Sequence, residues 1–155
     1  MIRKALKIGT GVLGIAFIIA QFIQPDRTNP PADPSASFEA LAKPAAHVAA
    51  AIGRSCHDCH SNQTVWPWYS RVAPISWLVA SDVNEGRAKL NFSQWNIYSP
   101  EMVHIKMRQI CREVQSGDMP PAYYLPMHPG AKLTAADVSA ICSAGSLPTR
   151  NQPGL

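Results

Sequence analysis

Cysteine is scarce in this chain: four in 155 residues, at positions 56, 59, 111 and 142. That is too few for a small scaffold held by a disulfide framework. Long runs of one charge are also missing. The formal net charge is +4, but Arg3, Lys4 and Lys7 precede the first apolar run. Beyond residue 27 there are ten basic and nine acidic residues, a net of +1, with no basic stretch. This argues against a nucleic-acid partner. There is no internal repeat and no convincing alternation of apolar and polar residues, which speaks against a repeat array or a β domain. No acid–base pair or nucleophile constellation stands out.

Proline, by contrast, is plentiful, at 14 residues. It predicts many turns and short helices. The N-terminal "MIRKALKIGTGVLGIAFIIAQFIQP" has a basic start and then an uncharged run from Ile8 to Ile23. The run is longer than a usual secretory core and shorter than a usual spanning helix of about 20 residues. No A-x-A-like cleavage site follows, because Ile18 stands two positions before Ala20. The expectation is an uncleaved signal anchor, a transmembrane helix over residues 1–24, with a cleaved signal peptide as the alternative. Positive charge before the run places the N-terminus in the cytoplasm and the rest outside, in the periplasm of a bacterium. Residues 25–37, "PDRTNPPADPSAS", then read as an extended proline-rich linker of about 3 Å per residue, holding the domain off the membrane surface.

Residues 38–146 read as an all-α domain of about four short helices. Pro44 suits the first turn of one helix, and Pro74 that of a second. Ser99-Pro100-Glu101 combines an N-cap, an N1 proline and an acidic first turn. Val103, Met107, Ile110, Cys111 and Val114 then share one face, and Gly117 is placed to end the helix. Thr134 and Asp137 approach a capping box, with Leu133 and Val138 spaced as a hydrophobic staple. A core this small is marginal alone, and a buried prosthetic group would add apolar contact. Cys111 and Cys142 fall on inner helix faces, where they pair as a disulfide or remain buried thiols. Residues 147–155 read as a disordered tail.

The chemistry concentrates in "RSCHDCHSN". Cys56-His57-Asp58-Cys59-His60 is C-x-x-C-H, the attachment signature of c-type haem. The two thiols add to the haem vinyl groups, and His60 follows as proximal iron ligand. A zinc site would need two further ligands, and a second C-x-x-C is absent. A thioredoxin-like dithiol would need a βαβ context. His57 is expected to face solvent. For the opposite side of iron, Met119 in "SGDMPPAYYLPMHPG" is favoured, because two prolines after it fix the backbone. Met127 and His128 compete with it, as does an open site. His47 and His104 read as surface or helix-face residues. The "WPWYS" run, Trp77, Tyr123 and Tyr124 can wall a haem pocket or pack a core, and Arg71 is a candidate for the propionates.

The run "CHDCHSNQTVWPWYSRVAPISWLVASDVNEGRAKLNFSQW", with "GDMPPAYYLPMHPGAKLT" and "QFIQPDRTNPP", resembles the bacterial haem-binding-domain family of membrane-anchored c-type cytochromes. The resemblance spans roughly residues 20–142. It implies a cytochrome-c-like helical domain in the periplasm around one covalent haem c. By position it implies tethers Cys56 and Cys59, proximal ligand His60 and distal ligand Met119. The expected function is one-electron transfer between transient redox partner proteins, not catalysis. The alternative is a five-coordinate haem sensor or a peroxidase-like enzyme.

Overall fold

The computed structural model describes residues 2–146. Among them there are six α-helices and no strand: α1 (Ile2–Ala20), α2 (Phe38–Ala42), α3 (Ala46–His60), α4 (Ile75–Lys89), α5 (Pro100–Ser116) and α6 (Ala135–Ser146). The all-α expectation holds over these residues, while the expected tail at 147–155 lies outside them. α3 is central. It packs on α4 along one side and on α6 and the Pro129–Ala131 turn along another.

The expectation of a transmembrane helix needs correction. No helix among the described residues is long and apolar enough to cross a membrane. α1 carries Arg3, Lys4 and Lys7 in its first two turns and stops at Ala20. Its charge-free part, residues 8–20, rises only about 20 Å, against a hydrocarbon core of about 30 Å. None of its residues is buried, and Leu13, Phe17 and Ile18 are exposed.

Residues 21–37 also differ from a free spacer. Gln21 clamps the Ala73 peptide on both sides: its Oε1 accepts from the Ala73 N–H at 2.9 Å and its Nε2 donates to the Ala73 carbonyl at 3.2 Å. Trp77 Nε1 donates to the Ile23 carbonyl at 2.6 Å. Asn29 donates to the Thr64 carbonyl and accepts from Trp66 Nε1 and Arg87 Nη2. Asn62 Nδ2 donates to the Pro31 carbonyl. Polar side chains make these attachments, so the segment needs no apolar periodicity to dock.

The core joins Phe38 of α2, Val48, Ala51 and Ile52 of α3, Met107, Ile110 and Val114 of α5, and Ile141 of α6. Phe92 and Trp95 complete it from a 3-10 segment, Phe92–Ile97, opened by Asn91, whose side chain accepts from the Ser93 N–H. Phe38 meets both rings edge-on, at 5.4 and 4.8 Å, while Phe92 and Trp95 stack at 5.8 Å. Such pairs contribute about 0.5–1.5 kcal/mol each beyond their burial. Neither α2 nor this 3-10 segment is among the expected helices.

Pro44 and Pro74 stand just before α3 and α4 and not in their first turns, whereas the signals of α5 and α6 are found where the spacing placed them. Ser99 Oγ caps the Met102 N–H of α5. Gly117 ends α5 at φ 80°, a conformation that suits glycine, and turns the chain into the loop bearing Met119. At α6 the Asp137 carboxylate accepts from the Thr134 N–H, and Thr134 Oγ1 accepts from the Asp137 N–H. Asp137 also meets Arg54 of α3 at 2.6 Å. Cys111 and Cys142 form a disulfide between α5 and α6.

Candidate functional site

Cys56, Cys59 and His60 occupy the last two turns of α3. Positions i, i+3 and i+4 lie on one helical face, so both thiols and the imidazole emerge on the same side. Cys56 and Cys59 are free thiols, not joined to one another. Both are partly buried. Burial pushes Cys56 up to about 12, helped by the charge of Cys59. Burial likewise raises Cys59 to about 11, helped by Asp82 and Asp58. At neutral pH both are therefore thiols, not thiolates.

The His60 ring is oriented by α4. Its Nδ1 lies 2.9 Å from the Gly86 carbonyl and 3.1 Å from the Leu90 carbonyl. Carbonyl oxygens only accept, so Nδ1 carries the proton and Nε2 keeps its lone pair free. Burial lowers the His60 pKa and favours the neutral, metal-ligating form. Gly86 makes this contact possible: a Cβ there would collide with the Cys59 carbonyl. Only glycine lets α3 and α4 approach this closely.

Two adjoining cavities open beside these residues. The smaller, about 200 Å³, is lined by Cys56, Cys59, His60 and Met119, with Gly86 and Tyr124. The larger, about 400 Å³, is lined mainly by apolar groups, including Trp68, Tyr69, Leu78, Val79 and Met127. Asp58, Cys59, Asp82, Tyr123 and Tyr124 border both. Met119 thus shares a cavity with both thiols and His60. Met127 and His128 line only the larger one, and His128 Nε2 is engaged by the Tyr69 hydroxyl at 2.5 Å.

Several expected placements change. His57 does not face open solvent. Its ring lies 5.5 Å from Phe92, and its Nε2 is 3.2 Å from Glu39 Oε1, at ion-pair distance but without hydrogen-bond geometry. Trp66 and Trp77 wall neither cavity and serve the N-terminal segment instead. Arg71 is exposed and lines neither cavity. Sequence reasoning passed over Gly86, Asp58 and Asp82. A glycine inside a helix costs about 1 kcal/mol relative to alanine, and that cost was the available signal for Gly86.

These side chains suit a flat, apolar, metal-bearing group. There are two thiols for attachment, a neutral imidazole with Nε2 free, a thioether and apolar walls. Among the described residues no group of three or more His, Cys, Asp or Glu side chains is placed to hold a bare metal ion. A haem-binding domain model matches residues 15–144. The chain belongs to the haem-binding domain family. No curated protein and no solved structure matches it. The match to this haem-binding domain begins inside α1 and so includes the docked segment at residues 21–37 as well as the cavity.

Proposed function

We propose that this haem-binding domain carries one haem c, held by thioethers from Cys56 and Cys59, and serves as a one-electron carrier. His60 Nε2 and the Met119 sulfur would hold its iron. The observation that carries this reading is the commitment of His60 Nδ1 to the Gly86 and Leu90 carbonyls. It leaves Nε2 as the one free ring nitrogen, in a cavity shared with both thiols and a thioether. The chemistry supplied by bound haem is one-electron redox at iron. The protein's part is to fix the imidazole in one tautomer, hold the thioether loop and surround the group with apolar walls, which tune the potential. Two protein ligands leave little rearrangement between oxidation states and favour transfer over substrate chemistry. Partners would then be redox proteins meeting it over small, transient interfaces.

The Cys111–Cys142 disulfide supports an oxidising compartment such as the periplasm. The basic start and exposed apolar surface of α1 support export and attachment at a membrane surface. Haem staining after denaturing electrophoresis tests covalent attachment, because only covalent haem survives. Loss of the stain in Cys56→Ala/Cys59→Ala is expected, and an unstained wild-type holoprotein would overturn the proposal. A methionine–iron charge-transfer band in the ferric spectrum is expected and should vanish in Met119→Ala with a fall in potential. Met119 is 37% exposed, which favours a second reading: a five-coordinate haem in a sensor or peroxidase-like enzyme. High-spin ferric iron in the wild type would select it.

A further inference from the structure

Two adjacent tyrosines fasten the loop after α5 to two different helices. The Tyr124 hydroxyl donates to Asp58 Oδ2 at 2.7 Å, and the Tyr123 hydroxyl donates to Asp82 Oδ2 at 3.1 Å. Asp58 lies between Cys56 and Cys59 on α3, whereas Asp82 is on α4. Asp58 also holds the chain leaving the motif. Its Oδ1 accepts from the Val65 N–H at 3.1 Å, and its backbone carbonyl accepts from Thr64 Oγ1 at 2.6 Å. The Tyr124 ring stacks on His128 at 4.0 Å, and His128 in turn meets the Tyr69 hydroxyl. A residue that merely separated two cysteines would need none of these contacts.

We propose that Asp58 is a positioning residue for the distal ligand: through Tyr124 it sets where the loop bearing Met119 stands beside Cys56, Cys59 and His60. The inference rests on the reading of Met119 as an axial ligand. Apart from the iron it would hold, the Met119 side chain has little to anchor its own loop, because a thioether accepts hydrogen bonds only weakly. Pro120 and Pro121 stiffen the backbone but do not attach it to α3. The Tyr124–Asp58 bond does attach it, and a hydrogen bond to a carboxylate is stronger than a neutral one. One side chain therefore joins the helix carrying the tethers to the loop carrying the distal sulfur.

The test is made on the full-length ferric holoprotein, with added imidazole competing for the distal position of iron. Tyr124→Phe removes the donor and keeps the ring that stacks on His128. The apparent affinity for imidazole should rise roughly tenfold to a hundredfold, the weight of one hydrogen bond to a charged group. Far-UV circular dichroism should not change. Tyr123→Phe, which loses a longer bond at a 60% exposed residue, should shift the affinity less. A wild-type protein that shows the methionine band, together with unchanged imidazole affinity in Tyr124→Phe, overturns this inference alone. A wild-type ferric spectrum without that band overturns the Met119 assignment and the inference with it.

Discussion

The Gly86 carbonyl oxygen lies 2.9 Å from His60 Nδ1, and the same glycine touches the Cys59 backbone closely enough to exclude any side chain. Helix packing and imidazole orientation thus depend on one residue. Gly86→Ala should push α4 away from α3, costing about 1–3 kcal/mol as an overpacked contact. It should also weaken the Nδ1 hydrogen bond. Denaturant unfolding measures the first effect, and haem content of the purified protein the second. A variant with unchanged midpoint and full haem content would contradict the tight crossing.

The disulfide between Cys111 and Cys142 closes a loop with a sequence separation of 31. Loop-closure entropy assigns such a link about 3.7 kcal/mol. Cys111→Ala/Cys142→Ala should lower stability by that order, while the visible spectrum of the holoprotein remains that of the wild type. Denaturant unfolding followed by circular dichroism checks the magnitude. A spectrum altered by the double substitution would show that α5 and α6 reach the haem cavity, contrary to the arrangement found.

Asp137 offers a pH-dependent readout of the α6 cap. The Thr134 N–H and hydroxyl, then Arg54, hold its carboxyl at about 2, below an ordinary value of 3.8. Because the folded value is the lower one, its stabilisation is complete above the unfolded value. It fades as pH falls from about 4 toward 2. Wild type should therefore exceed Asp137→Asn in stability at neutral pH, and the gap should close across that acid window. Thermal melts of both proteins from pH 7 to pH 2 follow it. A gap that stays constant through the window would remove the ionised cap from the account.

Arg87 of α4 holds two other segments at once, residues 28–29 and 61–64. It donates to the Ser61 carbonyl, the Thr28 carbonyl, Asn29 Oδ1 and Thr64 Oγ1. Lysine presents one ammonium and cannot reproduce this fork. Arg87→Lys should leave haem content unchanged but loosen residues 24–31, seen as faster hydrogen exchange and new protease cleavage there. Unchanged protection would mean that Gln21 and Asn62 suffice to hold the segment.

Helices with local punctuation were legible from sequence. Ser99, Gly117, Thr134 and Asp137 act within a turn of their own position, so their effects can be read from neighbours. α3 was expected from Pro44 but begins at Ala46 and runs through the whole C-x-x-C-H stretch, Cys56 to His60. α2 and the Phe92–Ile97 segment escaped because each is short and is stabilised by rings from the other. In the site, Cys56, Cys59 and His60 announce themselves by spacing. Gly86, Asp58 and Asp82 do not, because the contacts that bring them to the site, with His60, Tyr124 and Tyr123, span at least 26 positions in the chain. His57 was misplaced for the same reason: the packing of Phe92 and Glu39 against it is non-local.

The hydrogen bonds from Gln21 to Ala73 and from Asn29 to Thr64 have a consequence for how the cavity meets other molecules. A flexible tether lets a domain sweep a volume, and its chance of meeting a neighbour follows from the length of the coil. Residues 21–31 are a mount instead of a leash. On the proposed carrier role, a redox partner would meet a cavity whose position relative to Gln21 is set by these bonds and not by the reach of a coil.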